Sequence, residues 1–482
     1  MRLGLFFKEG RRRKLSPLWS RIVGVLVVLF AAVELYGAPF GFIDSFILRS
    51  LFVSFAITLT FICYTPIRTE PGQSENVPVP DILLACISLA AGAYMVLNGA
   101  ELVTRWTGVD PLTPADWAVT ATFVLLTLEV TRRTVGPVLL GIILVFIVYN
   151  FVGEYLPGYF GHRGSTMEVF LDRMVYTYDG IFGTPVGVAC TYVFMFVLFG
   201  QVFNAAGGGN FFFRLAASIA GRMRGGPAKI CVIASALYGT LSGSPVSDVV
   251  TTGSITIPLM KRVGYRPEFS GAVEAVASSG GLIMPPVMGS IAFVMAEYTG
   301  ISYLSICKAA LLPAVLYYLS LFTMIHFEAL RHGLGGTPPD LIPELRSIKR
   351  KLYYLAPLAL LIVLMIAGRS IIFSALLACA AVVALSFLSP ETRLTPARFL
   401  AAMENAAANL LMIAACCACV GIVIGVVTMT GFGFSFVNLM GSLAQVHIGI
   451  FLLVLAGTCV IFGMGLPSLP AYILVATFGA PR

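Results

Sequence analysis

The residues best placed to do chemistry sit in short polar interruptions of long apolar runs. The first is Ser242-Gly243-Ser244-Pro245, followed closely by Ser247-Asp248. The second is Ser278-Ser279-Gly280-Gly281, with Pro285-Pro286 just beyond. The third is Gly463-Met464-Gly465-Leu466-Pro467-Ser468. Serines beside an aspartate suggest a nucleophile. The four histidines stand at 162, 326, 332 and 447, so none lies nearby to act as a general base. No catalytic residue is expected, and the protein is not read as an enzyme. The same histidines are too scattered for a metal motif. What remains is ion binding by broken backbone. A helix interrupted at a Gly/Ser/Pro tip leaves N–H groups free at one half-helix N-terminus, which favours an anion. It leaves carbonyls free at the other half's C-terminus, which coordinate a small cation. An anion and Na⁺ can share such a site.

The elements that must position these tips follow from composition. The chain has 482 residues, 58% hydrophobic and 11% charged. A soluble protein carries about 25% charged residues and about 45–50% apolar ones. This surplus predicts a polytopic membrane protein. It excludes a cytosolic enzyme, a disordered chain, a disulfide scaffold and a DNA-binding domain. The net charge of +8 is not a nucleic-acid signal. Lys and Arg fall in clusters between apolar runs, at 11–14, 132–133, 222–229, 261–266 and 346–351. That is the positive-inside pattern. Most of the ten cysteines lie inside apolar runs, and Cys416-Cys417-Ala418-Cys419 reads as small packing residues. The basic N-terminus precedes an apolar run without a small-residue cleavage site, which predicts a retained first span with the N-terminus inside.

Spans are expected at about 20–38, 42–63, 81–102, 115–131, 134–153 and 184–205, with 211–221 too short to cross. Between Lys229 and Lys261-Arg262 the chain has basic clusters at both ends, so it must cross an even number of times. Each arm is only about 16 residues, or about 24 Å of helix, against a hydrocarbon core of about 30 Å. The consistent solution is a re-entrant hairpin, whose broken backbone must be buried or line a wet cavity. Further spans follow at 268–299 (interrupted), 304–328, 352–368, 371–389 and 405–431. Glu34, Arg49, Glu129 and Glu404 lie near expected span ends, where snorkelling suffices. Glu274 has three readings: solvated at a helix end, paired with Lys261 or Arg266, or supporting the Ser278 break. The loop 153–183 falls outside. Its Glu168, Asp172 and Asp179 fit a docking surface or plain solvated polarity.

The pattern then repeats. Leu215-Ala-Ala-Ser218-Ile-Ala220 matches Leu439-Met-Gly-Ser442-Leu-Ala444 at positions one, four and six. Each follows a Gly/Phe-rich stretch and precedes an apolar arm with a Gly-and-Pro tip. By the charge count the first copy starts inside and the second outside. Inverted repeats with interrupted helices predict an all-α secondary transporter. A channel would need a ring-forming filter motif, and none is present.

These residues carry a family resemblance. Leu241–Tyr265 resembles the first hairpin of TRAP transporter large permease subunits, Glu274–Gly289 the broken helix after it, and Gly463–Leu474 the second hairpin. The layout is similar to the TAXI type, with a fused small subunit. The resemblance implies a four-span region 1–131 and a large subunit 132–482. The first repeat would be about 184–330 with hairpin 229–260, and the second about 352–482 with hairpin 446–482. It implies an elevator-type transporter in the bacterial inner membrane, taking up an organic acid delivered by a periplasmic binding protein and driven by Na⁺. It needs no cofactor. One cation site would lie between Ser242, Gly243, Ser244, Ser247, Asp248 and the break Ser278, Ser279, Gly280, Gly281. A second would use Gly463, Gly465, Leu466 and Ser468. Ser244, Pro245, Pro285, Pro286 and Pro467 would face the substrate.

Two departures from the family pattern stand out. The hairpin tip reads Ser247-Asp248 where Ala-Asn is usual, and Leu282 replaces a usual Gln. An intramembrane carboxylate is functional by default. Asp248 either ligates the cation, carries a proton in place of Na⁺, or is a drifted position capped by a neighbouring backbone N–H. The family also continues into a second broken span where this chain stops at Arg482. A C-terminally truncated chain is therefore expected, with an incomplete second cation site and the alternative of a non-functional permease.

Overall fold

The computed structural model describes residues 10–67, 76–338, 342–343, 348–349, 351–389, 392–433 and 448–479, and the structural statements below concern these. Their regular secondary structure is helical, apart from one isolated β-bridge between Arg12 and Tyr64. Contacts divide the chain into two compact units, residues 1–191 with 407–482, and residues 192–406.

The first unit opens with α1 (Pro17–Phe40), α2 (Ser45–Cys63), α3 (Val79–Leu97), α4 (Gly99–Thr104), α5 (Pro114–Thr134), α6 (Pro137–Val152), α7 (Met167–Val175) and α8 (Thr184–Val188). Sequence punctuation sets these ends. Gly41 closes α1 in the left-handed conformation at φ 67°, the Asp44 carboxylate accepts the Phe46 N–H at 2.8 Å to start α2, and Thr113 and Asp116 form a capping box on α5. The expected span 81–102 is split at Asn98 between α3 and α4.

The second unit contains α9 (Phe194–Ala205), α10 (Gly208–Ala220), α11 (Gly226–Ser242), α12 (Pro245–Arg262), α13 (Pro267–Ser279), α14 (Ser290–Thr299), α15 (Tyr303–Arg331), α16 (Ala356–Ile366) and α17 (Ile371–Ser386). The chain ends with α18 (Pro396–Thr430), α19 (Ile448–Gly465) and α20 (Ser468–Gly479), of which residues from 407 onward belong to the first unit. Among the described residues seven helices are long and apolar enough to cross a membrane: those beginning at Pro17, Ser45, Val79, Pro137, Thr184, Tyr303 and Pro396. This is an integral membrane protein. The expected span 115–131 is present as α5, but Asp116, Glu129, Arg132 and Arg133 leave it less apolar. The repeat copy at 439–444 lies outside the described residues.

Charges in the first unit depart from the snorkelling expectation. Glu34 is fully buried on the face of α1 that packs against α2, and neither carboxyl oxygen has a partner among the described residues. Its helix continues to Phe40, so the side chain is too far from the end to reach solvent. Glu129 is ion-paired to Arg133 (2.6 Å) and Arg132 (2.7 Å). Arg133 also pairs with Asp81 at 2.9 Å, and Asp81 with Arg13. The strand-like segment 10–13 is stitched into this network, with the Arg13 N–H donating to Cys63 O at 2.7 Å. Arg13, Arg132 and Arg133 are thus buried structural charges besides marking topology. Cys416, Cys417 and Cys419 are buried in α18, as packing residues should be.

Candidate ion-binding site

The predicted hairpin 229–260 appears as α11 and α12, packed against each other and joined at Gly243-Ser244. Gly243 closes α11 at φ 56°, its N–H donating to Gly239 O at 3.3 Å. A β-carbon there would collide with the Met288 carbonyl, so only glycine fits. Ser244 caps α12, Pro245 occupies its first turn, and Asp248 follows on the same turn. The break after α13 is a 3₁₀ turn, Gly280–Ile283, and then a non-helical stretch containing the cis Pro285–Pro286 bond before α14 begins at Ser290. Tyr317 and Tyr318 donate their hydroxyls to the carbonyls of Val276 (2.7 Å) and Ala277 (3.1 Å) in the last turn of α13. The Tyr303 hydroxyl donates to Pro286 O at 3.0 Å.

Three segments meet at Asp248. Its carboxylate is fully buried. The Ser242 hydroxyl donates to Oδ1, and Ser242 Oγ in turn accepts the Ser244 N–H at 3.2 Å. Oδ2 has no partner among the described residues. It lies against the point where Gly239 of α11 touches Gly281 of the 3₁₀ turn. A β-carbon on Gly281 would stand 2.8 Å from Gly239 Cα and 2.9 Å from Asp248 Oδ2. A capping backbone N–H is therefore not what satisfies Asp248; a side-chain hydroxyl takes one oxygen, and the other faces a glycine–glycine seam. An unpaired buried carboxylate oxygen costs several kcal/mol in order of magnitude, unless a cation or proton joins it.

Of the predicted ligands, Ser242, Ser244, Asp248 and Gly281 are brought to this junction, while Gly243 faces Met288 and Gly280 faces Tyr317 and Tyr318. The Ser247 N–H approaches Ser244 Oγ at 3.4 Å. Ser278 turns instead to Glu274 Oε1 at 3.4 Å, and the exposed Ser279 bonds its own helix at Ala275 O, 2.8 Å. Pro285 and Pro286 line a mostly apolar cleft of about 220 Å³ with Cys307, Lys308 and Leu311 among its walls. In the first unit, α19 and α20 pack together around a break at Leu466-Pro467. Gly463 and Ser468 are exposed there, and Leu466 is buried.

Of the three readings of Glu274, the structure agrees with the last, since the Ser278 hydroxyl lies 3.4 Å from Glu274 Oε1. Glu274 is fully buried, not solvated, and among the described residues it pairs with neither Lys261 nor Arg266. The hydroxyls of Thr252 and Thr256 contact its two oxygens, and Cys231 Sγ lies 3.0 Å from Oε2. The pattern was readable: Asp248, Thr252 and Thr256 recur at i, i+4 and i+8 on one face of α12, and Glu274 and Ser278 at i, i+4 on α13.

Hydrophobic helices interrupted at a buried polar junction define a helical integral membrane protein with broken helices. Residues 122–482 match the family model for the tripartite ATP-independent periplasmic transporter, DctM component. The chain belongs to this family of TRAP transporter large permeases. It is 28% identical over 143 residues to the sialic acid TRAP transporter large permease protein SiaM of Vibrio cholerae, covering 30% of this chain and 33% of that one. It is 30% identical over 156 residues to the C4-dicarboxylate TRAP transporter large permease protein DctM of Pseudomonas aeruginosa, covering 32% and 36%. An uncharacterized protein, YgiK of Salmonella typhimurium, is 34% identical over 137 residues, covering 28% and 31%. The matched stretch spans about a third of the length of these relatives.

Proposed function

We propose that this chain is the membrane permease of a TRAP secondary transporter in the bacterial inner membrane, with its N-terminus inside. It takes up a small organic acid handed over by a periplasmic binding protein and is driven by Na⁺. The observation that carries this reading is the Asp248 junction. A buried carboxylate oxygen without a partner among the described residues faces the seam of two broken helices, as a cation ligand would. The Ser242 hydroxyl holds the other oxygen of the same carboxylate, and Gly239 and Gly281 form the seam beside the open one. Two relatives support an acid as the substrate class: the sialic acid and C4-dicarboxylates in their names both carry carboxylates. In the full elevator arrangement α11–α12 and α19–α20 serve as re-entrant hairpins, each tip contributing to a cation site, with Pro245 and Pro467 turned to substrate.

The test is uptake of a panel of radiolabelled organic acids into proteoliposomes holding the complete permease, with its binding protein outside. An inward Na⁺ gradient should drive accumulation, and Asp248→Ala should remove the Na⁺ dependence. Unchanged Na⁺ dependence in that variant sinks the assignment. A second reading, in which a proton replaces Na⁺ on Asp248, is favoured by the carboxylate itself. It predicts accumulation under a pH gradient with choline in place of Na⁺.

A further inference from the structure

The cleft of about 220 Å³ lies between the Pro285-Pro286 stretch, α15 and α16, all within the second unit. Pockets for drug-sized ligands run to about 300–1,000 Å³, so this one suits a small molecule. Its walls are apolar apart from Cys307 and Lys308, with Leu311 of α15 and Met365 of α16 among the rest.

Helical spacing brings the lysine there. Leu304, Cys307, Lys308 and Leu311 recur at i, i+3, i+4 and i+7, so they form one stripe of α15. The stripe is tied to the break after α13. The Tyr303 hydroxyl donates to Pro286 O at 3.0 Å, and the Cys307 thiol lies 3.6 Å from the same oxygen. The break in turn is bonded to the hairpin, the Val287 N–H donating to Thr240 O at 3.3 Å. Lys308 therefore stands on a helix pinned to the same non-helical stretch that reaches the hairpin.

The charge has no answer on the chain. Lys308 follows Tyr303, the first residue of a helix apolar enough to cross a membrane, by about 7.5 Å of rise. It is exposed, and among the described residues no carboxylate pairs with it. Glu297, the acid nearest to it in sequence, is exposed on α14. Snorkelling lets a lysine sit at that depth, but leaves the ammonium without a counter-ion beside an apolar cleft. Charges within membrane segments generally pair or mark a substrate path. A single ammonium on an otherwise apolar wall selects a particular chemistry. It gives one carboxylate a charge-assisted hydrogen bond. The remaining walls favour an apolar body and penalise a second charge, which would be desolvated without a partner.

We propose that Lys308 binds the substrate's carboxylate in this cleft, and that the preferred substrates are small monocarboxylates with an apolar body rather than dicarboxylates. This assignment rests on the reading of the chain as an acid permease, and deepens it by naming the substrate class and the residue that selects it.

The test is equilibrium binding to the complete permease in phosphatidylcholine nanodiscs with Na⁺ present. The probes are radiolabelled phenylacetate, its uncharged analogue phenylacetamide, and succinate. Phenylacetate should bind about tenfold to a hundredfold more tightly than phenylacetamide, the margin of a charge-assisted bond, and more tightly than succinate. Lys308→Gln should erase the margin by weakening phenylacetate alone, and Lys308→Arg should keep most of it. Met365→Ala trims the apolar wall and should weaken phenylacetate and phenylacetamide alike. No saturable binding of phenylacetate, equal affinity for the acid and its amide, or tighter binding of succinate overturns the proposal without any variant having to fold. An unchanged margin in Lys308→Gln also overturns it. If phosphatidylglycerol added to the nanodiscs displaces phenylacetate, the occupant is a lipid headgroup and the proposal falls. Uptake separates this proposal from the reading beneath it. If binding follows the expected pattern while no acid is accumulated under a Na⁺ gradient, the cleft stands and the transport reading fails. If Na⁺ drives accumulation of an acid while phenylacetate does not bind, the transport reading stands and the cleft assignment falls.

Discussion

The glycine seam beside Asp248 offers a sharp perturbation, Gly281→Ala. The added methyl group would sit 2.8 Å from Gly239 Cα and 2.9 Å from Asp248 Oδ2. Carbon atoms in good contact are about 3.5–4.0 Å apart, so the turn and α11 must separate by roughly 0.7 Å or more. Overpacking of this kind costs about 1–3 kcal/mol. Because the carboxylate is one of the two groups displaced, much of that cost should fall on cation binding, where about 1.4 kcal/mol is tenfold in affinity. The assay is the thermal unfolding midpoint of the purified permease, titrated with Na⁺ against choline. Na⁺ at a hundred times its dissociation constant stabilises by about 2.7 kcal/mol, and a tenfold weaker site reduces that to about 1.4 kcal/mol. Gly271→Ala is the matched control. It lies on α13, and nothing stands within 4 Å of its new β-carbon, so it should gain about 0.5–1 kcal/mol from helix propensity and respond to Na⁺ like the wild type. If Gly281→Ala shows the same Na⁺ stabilisation as Gly271→Ala, the seam is not part of a cation site.

Other expectations follow from the same geometry. Asp248→Asn keeps the shape and removes the charge, so it should raise the midpoint in Na⁺-free buffer and weaken the Na⁺ response at least tenfold; an unaltered titration contradicts it. Asp81→Asn leaves Arg13 and Arg133 without their shared buried partner and should cost about 3–5 kcal/mol in equilibrium unfolding, where a loss under about 1 kcal/mol would show the pairs to be marginal. Tyr318→Phe strips the hydrogen bond to Ala277 O and should cost about 0.5–1.5 kcal/mol, measured in the same melts. Burial holds the Asp172 carboxyl, in α7, above the ordinary aspartate value, against the opposing Gly108 N–H and Arg105. Its stabilising contribution is therefore complete below the unfolded value and is lost as pH rises through the raised one. Asp172→Asn should flatten that part of the midpoint-against-pH curve.

Much of the helical layout was legible because a membrane imposes it. Apolar runs of about twenty residues bounded by Gly, Pro and charge have few alternatives, and α1, α2 and the α11–α12 hairpin fall within a few residues of the expected bounds. The break after α13 was legible from Gly280-Gly281 and Pro285-Pro286 for the same reason. What sequence spacing does not disclose is which way a lone polar side chain turns. Ser278 and Ser279 are neighbours in sequence, yet one faces Glu274 and the other its own helix, because successive helical residues point about 100° apart. Glu34 reads as a span-end residue because the expected span ends at 38, two residues short of Phe40. The pairing of Asp81 with Arg13 and Arg133 was out of reach, since it joins residues 68 and 52 positions apart.

That last network bears on how the protein is made. The arm at residues 10–13 precedes every described helix, yet its partners are Cys63 and Thr65 past α2, Asp81 at the start of α3 and Arg133 near the end of α5. During synthesis it can meet Cys63 and Thr65 once α2 has emerged, but Asp81 only when α3 begins and Arg133 only when α5 is made, so the network around this early arm is completed last. Shortening the arm, or carrying a rigid affinity tag directly against Gly10, would then show up as a defect in insertion or yield rather than in ion binding.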